Sequence, residues 1–259
     1  MKRAVRWLIE FAAPPVVLFV IVVAAWHVAV VTFGIKRYIV PLPWDVLKAG
    51  WQRRDSLLSA AAMTGEAAAA GFALSLVAGF LVACVFSQSR VIERSIYPYA
   101  IFLQTVPIVA IAPLIVFWFG FGFKSVVVVA FIISIFPIIT NATAGLTTLD
   151  ANLLELFELA GANRWQLLIK LRLPGSVPHL VTGARVSAGL SVVGAIVGEI
   201  FAGAGADRPG LGYLIQQLSA QLRTDALFAA ILMSAALGML IFGLVNMIGR
   251  LVMKVWSGA

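Results

Sequence analysis

Charged residues and cysteine are both scarce in this sequence. Only 12% of the 259 residues are Asp, Glu, Lys or Arg, whereas a soluble domain carries about 25%. The single cysteine, Cys84, excludes a disulfide within the chain, and the two histidines, His27 and His179, lie far apart. The sequence therefore contains no metal-ligand pattern and no nucleophile–base pair, and it predicts neither a catalytic residue nor a metal site.

A phosphate-binding loop is also missing. No G-x-x-x-x-G-K-[ST] pattern occurs, and no glycine-rich turn follows a strand-like segment. We therefore expect this chain to bind no cofactor, and any ATP and Mg²⁺ that drive it to be bound by another chain. The net charge of +8 comes from basic residues spread over short loops, which suits anionic lipid neighbours and argues against nucleic acid as a partner.

Long apolar runs dominate what is present. The chain is 62% hydrophobic, with a mean hydropathy of +1.03, and a helix needs about 20 apolar residues to cross a bilayer. The first run exceeds the roughly 7–15 residues of a signal-peptide core, so we expect a retained span. The predicted fold class is an all-α integral membrane protein with six transmembrane helices, at about Ala12–Phe33, Ala67–Ser87, Tyr97–Phe119, Ser125–Leu146, Val181–Ala202 and Ala226–Gly249.

Polar side chains on the third and fourth predicted spans are candidates for a transport pathway. Both spans contain internal prolines, whose freed carbonyls need partners inside a helix bundle. Gln104, Asn141 and Thr143 lie on these two spans. Because polar side chains avoid lipid and find partners between helices, we expect these three to face the bundle interior.

The segment Glu155–Pro174 is the longest polar-containing stretch in the second half of the chain. Its pattern predicts two short helices joined by a turn and facing water. Asp150 or Asn152 can cap the first helix, and Asn152 has capping-box spacing to Glu155. Gly161 lies where a left-handed C-terminal cap is expected.

The second short helix is expected to begin after Asn163, which can cap it. Pro174 disfavours helix at Leu173, so the pattern predicts that this helix stops there. Its apolar residues suit docking on a partner; they are Trp165, Leu167, Leu168 and Leu171. Such an organised connection is far longer than an ordinary loop of about 4–6 residues.

This segment resembles the EAA loop of binding-protein-dependent ABC importer permeases. Glu155, Gly161, Leu171 and the pair Leu173-Pro174 match the family pattern at every spacing, while Leu156 and Phe157 replace its two alanines. The residues that follow Gly161 are similar to those found at this place in the nitrate, sulfonate, taurine and thiamine-precursor branch of the family. The resemblance implies that the ATPase-coupling residues are Glu155, Phe157, Gly161, Ala162, Arg164, Leu171, Leu173 and Pro174.

The resemblance also implies a fold, partners and a function. The fold would be that of a type I ABC importer permease. A second permease copy, as a homodimer, would complete the translocation pathway for a small solute. Separate ABC ATPase subunits would drive transport, and an extracytoplasmic solute-binding protein would deliver the cargo. The permease itself would perform no covalent chemistry and would be no enzyme.

The sequence also predicts the orientation of the chain in the membrane and the limits of its parts. Lys and Arg are only slightly more numerous on the side of the membrane that holds the N-terminus than on the other side. The resemblance places the EAA loop in the cytoplasm. Both termini are then cytoplasmic, in a bacterial-type inner membrane. The expected parts are a first helix with an external amphipathic connection (1–62), a transmembrane domain (63–250) with its coupling loop at 150–174, and a C-terminal tail (251–259).

Glu199 is the ionisable residue that most needs an explanation, because it falls inside the fifth predicted span. It precedes a segment similar to one in the same branch, with Gly210 and Gly212 as its glycines. The carboxylate either braces an outer gate or contacts substrate, and a wet position near the outer surface is the simplest alternative. An ion- or proton-coupled secondary transporter is the second functional hypothesis, although only Glu199 and His27 could serve its relay.

Overall fold

The computed structural model describes residues 13–205, 208–256 and 258, and the regular structure within these residues is helical. The α-helices, in chain order, are α1 (Ala13–Thr32), α2 (Pro43–Gln52), α3 (Arg54–Gln88), α4 (Arg90–Thr105), α5 (Ile108–Phe119), α6 (Phe123–Thr147), α7 (Ala151–Leu159), α8 (Arg164–Leu167), α9 (Leu173–Ala202), α10 (Leu211–Ala220) and α11 (Thr224–Trp256). A π-helical stretch at Leu168–Arg172 joins α8 to α9, and a 3₁₀ turn at Gly203–Gly205 follows α9.

Five helical segments of the described chain are long and apolar enough to cross a membrane, and α5 is a shorter apolar helix. The five are Ala13–Thr32, Arg54–Gln88, Phe123–Thr147, Arg164–Ala202 and Thr224–Trp256. The predicted all-α membrane fold is confirmed. The start of the first predicted span, Ala12, lies outside the described residues.

The third predicted span is two helices rather than one. α4 begins at Arg90 and ends at Thr105, and Val106 then takes an extended backbone with ψ 123° before α5 starts at Ile108. Pro107 explains the break, because a proline disfavours helical geometry at the residue before it and has no N–H to donate.

Two other helices extend well beyond the apolar runs that predicted them. α3 begins at Arg54 instead of near Ala67, so most of the predicted polar connection is helical. α11 continues to Trp256 instead of ending near Gly249, so the expected C-terminal tail is mostly helix. The length of an apolar run reflects the thickness of the bilayer. A helix can extend past that run, because its backbone hydrogen bonds continue until a capping or helix-breaking residue ends them.

The chain divides into two compact units. The first contains the residues up to Leu57 together with Leu214–Leu232. Within it, the rings of Trp26 and Phe228 lie 5.7 Å apart, and Arg37 forms an ion pair of 3.8 Å with Asp45. The second contains Leu58–Tyr213 and Met233–Ala259.

Small residues bring three helices of the second unit into close backbone contact. A Cβ atom added to Gly194 on α9 would lie 2.7 Å from the Cα of Ala130 on α6. One added to Gly71 on α3 would lie 2.6 Å from the Cβ of Ala130. Such approaches are typical of helix packing inside membranes.

Buried serines connect the same three helices by hydrogen bonds. Ser75 on α3 donates to the carbonyl of Phe131 on α6 at 2.9 Å. Ser187 on α9 donates to the carbonyl of Ser134 at 2.6 Å. Because these hydroxyls are satisfied, the polar residues of this core stabilise the helix contacts instead of opposing them.

Candidate functional site: the α7–α8 loop and the buried Glu199

Residues 148–172, between α6 and α9, form what we call the α7–α8 loop, and two caps and a glycine in the left-handed conformation shape it. Asp150 caps α7, because its Oδ1 accepts the N–H of Asn152 at 2.8 Å. Gly161 has φ +67°, and the N–H of Ala162 donates to the carbonyl of Phe157 at 3.0 Å. This is the Schellman geometry expected of a glycine-terminated helix, and the predicted C-terminal cap at Gly161 is confirmed.

The second short helix begins with a complete capping box. Asn163 Oδ1 accepts the N–H of Gln166 at 2.9 Å, and Gln166 Oε1 accepts the N–H of Asn163 at 2.9 Å. The predicted cap at Asn163 is confirmed. The reciprocal contact from Gln166 was readable from the Asn-x-x-Gln spacing.

Pro174 does not stop this helix, contrary to the prediction. Leu173 has helical backbone angles, φ −61° and ψ −51°, and its N–H donates to the carbonyl of Leu168. The π-helical stretch Leu168–Arg172 therefore carries the chain into α9, with Pro174 in its first turn. A proline is tolerated there because the first N–H groups of a helix have no partner within it.

The predicted apolar face of the second helix is divided between two directions. Trp165 is 70% exposed, whereas Leu168 is 7% exposed and packs with Ala83, Ala142 and Leu146. Ile169 is also exposed. Consecutive residues of a helix point to different sides, so Leu168 faces the core while Ile169 faces outward.

Several apolar side chains of this loop are exposed, and we call them together the loop patch. Its members are the exposed side chains Leu156, Leu159, Trp165 and Ile169. Leu159 is 88% exposed. Exposed apolar groups clustered among polar ones mark surfaces that bind another molecule.

The predicted coupling residues are distinct from the members of the loop patch, and they differ in exposure. Glu155, Gly161, Arg164 and Pro174 are exposed. Phe157, Ala162, Leu171 and Leu173 are half-buried. Six of the eight lie between α6 and α9, and Leu173 and Pro174 begin α9.

Two anchors that sequence reasoning missed tie the end of this loop to other helices. The Arg172 guanidinium donates to the carbonyl of Ser87, at the end of α3. Trp256, near the end of α11, donates its indole N–H to the carbonyl of Pro174 at 2.8 Å. Nothing in the sequence pattern pairs these positions, since they meet only when the helices pack.

Glu199 is buried, which does not fit the alternative of a wet position near the outer surface. The side chain is 0% exposed. Its Oε2 accepts the N–H of Gly212 at 2.8 Å and lies 3.0 Å from the hydroxyl of Thr64. The Thr64 hydroxyl in turn accepts the N–H of Leu211 at 2.9 Å. Thr64 carried no signal in the sequence.

Comparison with known proteins decides what kind of chain this is. The family described as binding-protein-dependent transport system inner membrane components matches residues 75–254. The chain belongs to this family. It is the permease subunit of an ABC importer, and the hypothesis of an ion- or proton-coupled transporter has no support.

The permease has relatives that match almost its full length. It is 34% identical over 254 residues to the riboflavin transport system permease protein RibX of Chloroflexus aurantiacus, covering 95% of this chain and 90% of the relative. It is 32% identical over 247 residues to the formylaminopyrimidine transport permease protein ThiX of Halalkalibacterium halodurans, covering 95% of each. Inward-facing structures of the MetNI methionine ABC transporter share the fold, with a TM-score of 0.58, 20% identity, and coverage of 78% of this chain and 96% of that chain.

The three predicted pathway residues of the permease have different surroundings. Gln104 is exposed and borders a largely apolar cleft of about 540 Å³ next to α6. Asn141 donates its amide to the carbonyl of Pro137 on its own helix at 2.8 Å. Thr143 is 3% exposed, and its hydroxyl has no hydrogen-bond partner among the described residues. Of the three, Gln104 is thus exposed, Asn141 half-buried and Thr143 buried.

Proposed function

We propose that the α7–α8 loop of this permease is the surface on which a separate ATPase subunit docks. The loop patch carries the proposal: exposed apolar side chains stand on two capped helices at a left-handed glycine. The caps hold the patch in one shape, so little ordering is needed when a partner binds. ATP is then bound and hydrolysed on the partner chain.

Movement of the docked ATPase would reach the spans through the two anchors. Arg172 links the loop to the end of α3, and Trp256 links it to the end of α11. The π-helical stretch makes the loop continuous with α9. A rigid displacement of the loop therefore moves three helices together, as rocking between two access states requires.

Two copies of the permease, as a homodimer, would enclose the pathway between inward-open and outward-open states. A solute-binding protein would deliver the cargo from outside, and both termini and the α7–α8 loop would face the cytoplasm. The protein would thus be a multi-pass component of a bacterial-type inner membrane.

We also propose that the cargo is a small heterocyclic solute. RibX and ThiX are named for riboflavin and formylaminopyrimidine transport. The lining of the cleft beside Gln104 suits an uncharged, flat molecule, because apart from Gln104 it is apolar and includes Phe131 and Phe136. Aromatic faces stack on planar rings, and a single amide can orient one by hydrogen bonding.

The docking proposal is tested with Gly161→Trp. A large side chain at this exposed turn strains the left-handed backbone and obstructs a partner. We expect normal membrane insertion but an about tenfold lower recovery of the ATPase, equivalent to about 1.4 kcal/mol. The measurement is affinity purification of the permease from its own membranes. The ATPase is identified by mass spectrometry as the co-purified chain with a G-x-x-x-x-G-K-[ST] loop.

Gly34→Trp is the matched control. Gly34 also has positive φ, +59°, and open space around it, but lies at the end of α1. This variant should recover the ATPase normally. Gly161→Asn should too, because asparagine tolerates positive φ. Full recovery with Gly161→Trp would show that the loop is not the docking surface.

A further inference from the structure

We propose that Glu199 and Thr64 form a latch that positions the segment Gly210–Tyr213 against α3 and α9. In this account Glu199 is a positioning residue and not a substrate contact. Two hydrogen bonds hold the segment closed and a third joins Thr64 to Glu199, and the segment opens as one piece when they are lost. This inference concerns the permease chain itself and does not depend on where the ATPase docks.

The contacts of the latch join three parts of the chain that are far apart in sequence. Thr64 lies on α3, Glu199 lies near the end of α9, and Leu211 and Gly212 form the first turn of α10. Both N–H groups of that turn are taken by the latch, one by Thr64 at 2.9 Å and one by Glu199 at 2.8 Å. A carboxylate is favoured there, because the first N–H groups of a helix carry partial positive charge.

The glycines of the segment let its backbone reach the carboxylate. A Cβ atom added to Gly210 would collide with the carboxyl group of Glu199. One added to Gly212 would collide with the carbonyl of Ile196 and lie 2.9 Å from the Cβ of Glu199. The two glycines are therefore needed for space, since neither has a positive φ.

The latch is incompletely satisfied, which makes it releasable. Glu199 Oε1 is buried and has no hydrogen-bond partner among the described residues. The single hydroxyl proton of Thr64 is also shared, because the carbonyl of Ala60 lies 3.0 Å from the same oxygen. A buried carboxylate with unmet hydrogen bonds gains solvation when water reaches it. The closed state therefore stores a cost that opening removes.

An exposed ion pair accompanies the latch but cannot replace it. Arg208, just before the segment, lies 3.2 Å from Glu66 on α3, and both side chains are more than half exposed. Exposed ion pairs contribute little to stability, because water and salt screen them. The buried contacts of Thr64 and Glu199 therefore decide whether the segment stays closed. A segment with two discrete states, one closed and one open, is what a gate in an alternating-access transporter requires.

The test measures opening at Leu211, which is 0% exposed. Leu211→Cys is introduced into the full-length permease in membranes, in a Cys84→Ala background, and is labelled with N-ethylmaleimide. We expect slow labelling in the otherwise unchanged chain. Thr64→Val removes the hydroxyl at constant shape and should speed labelling about tenfold, the effect of losing about 1.4 kcal/mol. Glu199→Leu should do the same.

Conservative variants and a distant site separate the latch from general loosening. Thr64→Ser and Glu199→Gln keep an oxygen in place and should restore slow labelling. Leu146→Cys, also 0% exposed but packed with Ala83 and Ala142, should stay protected in every variant. Ser75→Ala removes a different buried α3 hydroxyl and should leave Leu211→Cys slow.

Three results would overturn the proposal. The first is fast labelling of Leu211→Cys before any latch residue is changed. The second is unchanged labelling in both Thr64→Val and Glu199→Leu. The third is equal acceleration at Leu146→Cys, which would show loss of the whole fold and a purely structural role.

Discussion

At the scale of single residues, Gly161 has an importance that comes from backbone geometry and not from packing. Its φ of +67° costs a residue with a Cβ about 1–2 kcal/mol. No other atom of the described chain lies within 4 Å of the place a Cβ would take. The residue therefore sets the direction of the chain between α7 and α8 while leaving open space for a partner.

Cysteine reactivity distinguishes the predicted pathway residues from one another. In a Cys84→Ala background, we expect Gln104→Cys to react with a small water-soluble thiol reagent, because this position borders the cleft. Thr143→Cys should stay protected, since Thr143 is 3% exposed. The rates are compared in membranes with and without ATP. A reactive Thr143→Cys beside an inert Gln104→Cys would reverse this assignment.

At the scale of helices, the contact between α6 and α9 depends on the absence of side chains. Gly194 and Gly198 both face α6, where a Cβ would lie 2.7 Å from the Cα of Ala130 and 3.0 Å from the Cα of Val126. Backbone atoms cannot move aside as a flexible side chain can. The two helices would have to separate to accept even a methyl group, and the buried serine bonds would lengthen with them.

Gly194→Ala should therefore destabilise the permease by about 1–3 kcal/mol, the usual cost of overpacking a core. Gly189→Ala on the same helix is the matched control, because no atom lies within 4 Å of its added Cβ. This control should be neutral or more stable by up to about 1 kcal/mol, since alanine favours helix. Thermal unfolding of both purified variants in detergent measures the difference. Equal melting temperatures would show that the close approach does not limit stability.

At the scale of the whole molecule, orientation in the membrane follows from the proposed position of the loop. A reporter active only in the cytoplasm, fused near Asn163, should be active. The same reporter fused after Lys48 in α2 should be inactive, while a fusion at the C-terminus should be active. Activity only at Lys48 would invert the topology and remove the proposed ATPase surface from the cytoplasm.

Much of the helix order was predictable, because long apolar runs leave few alternatives in a bilayer. α6 follows the predicted Ser125–Leu146 closely, and the left-handed Gly161 and the cap at Asn163 were readable from local spacing. The start of α3 at Arg54 could not be predicted, because amphipathic residues that favour helix extend it without a long apolar run. Pro174 was misjudged because a π-helical stretch before it supplied a path that local propensity does not reveal.

By itself, the sequence determined the class of molecule, the order of its apolar segments, and the loop that resembles the EAA motif. These features depend on composition and on residues close together in the chain. Only the tertiary structure decided which groups distant in the sequence meet: Glu199 with Thr64, Arg172 with Ser87, and Trp256 with Pro174. Such pairs depend on how helices that are distant in the sequence pack together. The pattern of apolar residues along one helix does not indicate which other helix lies against it.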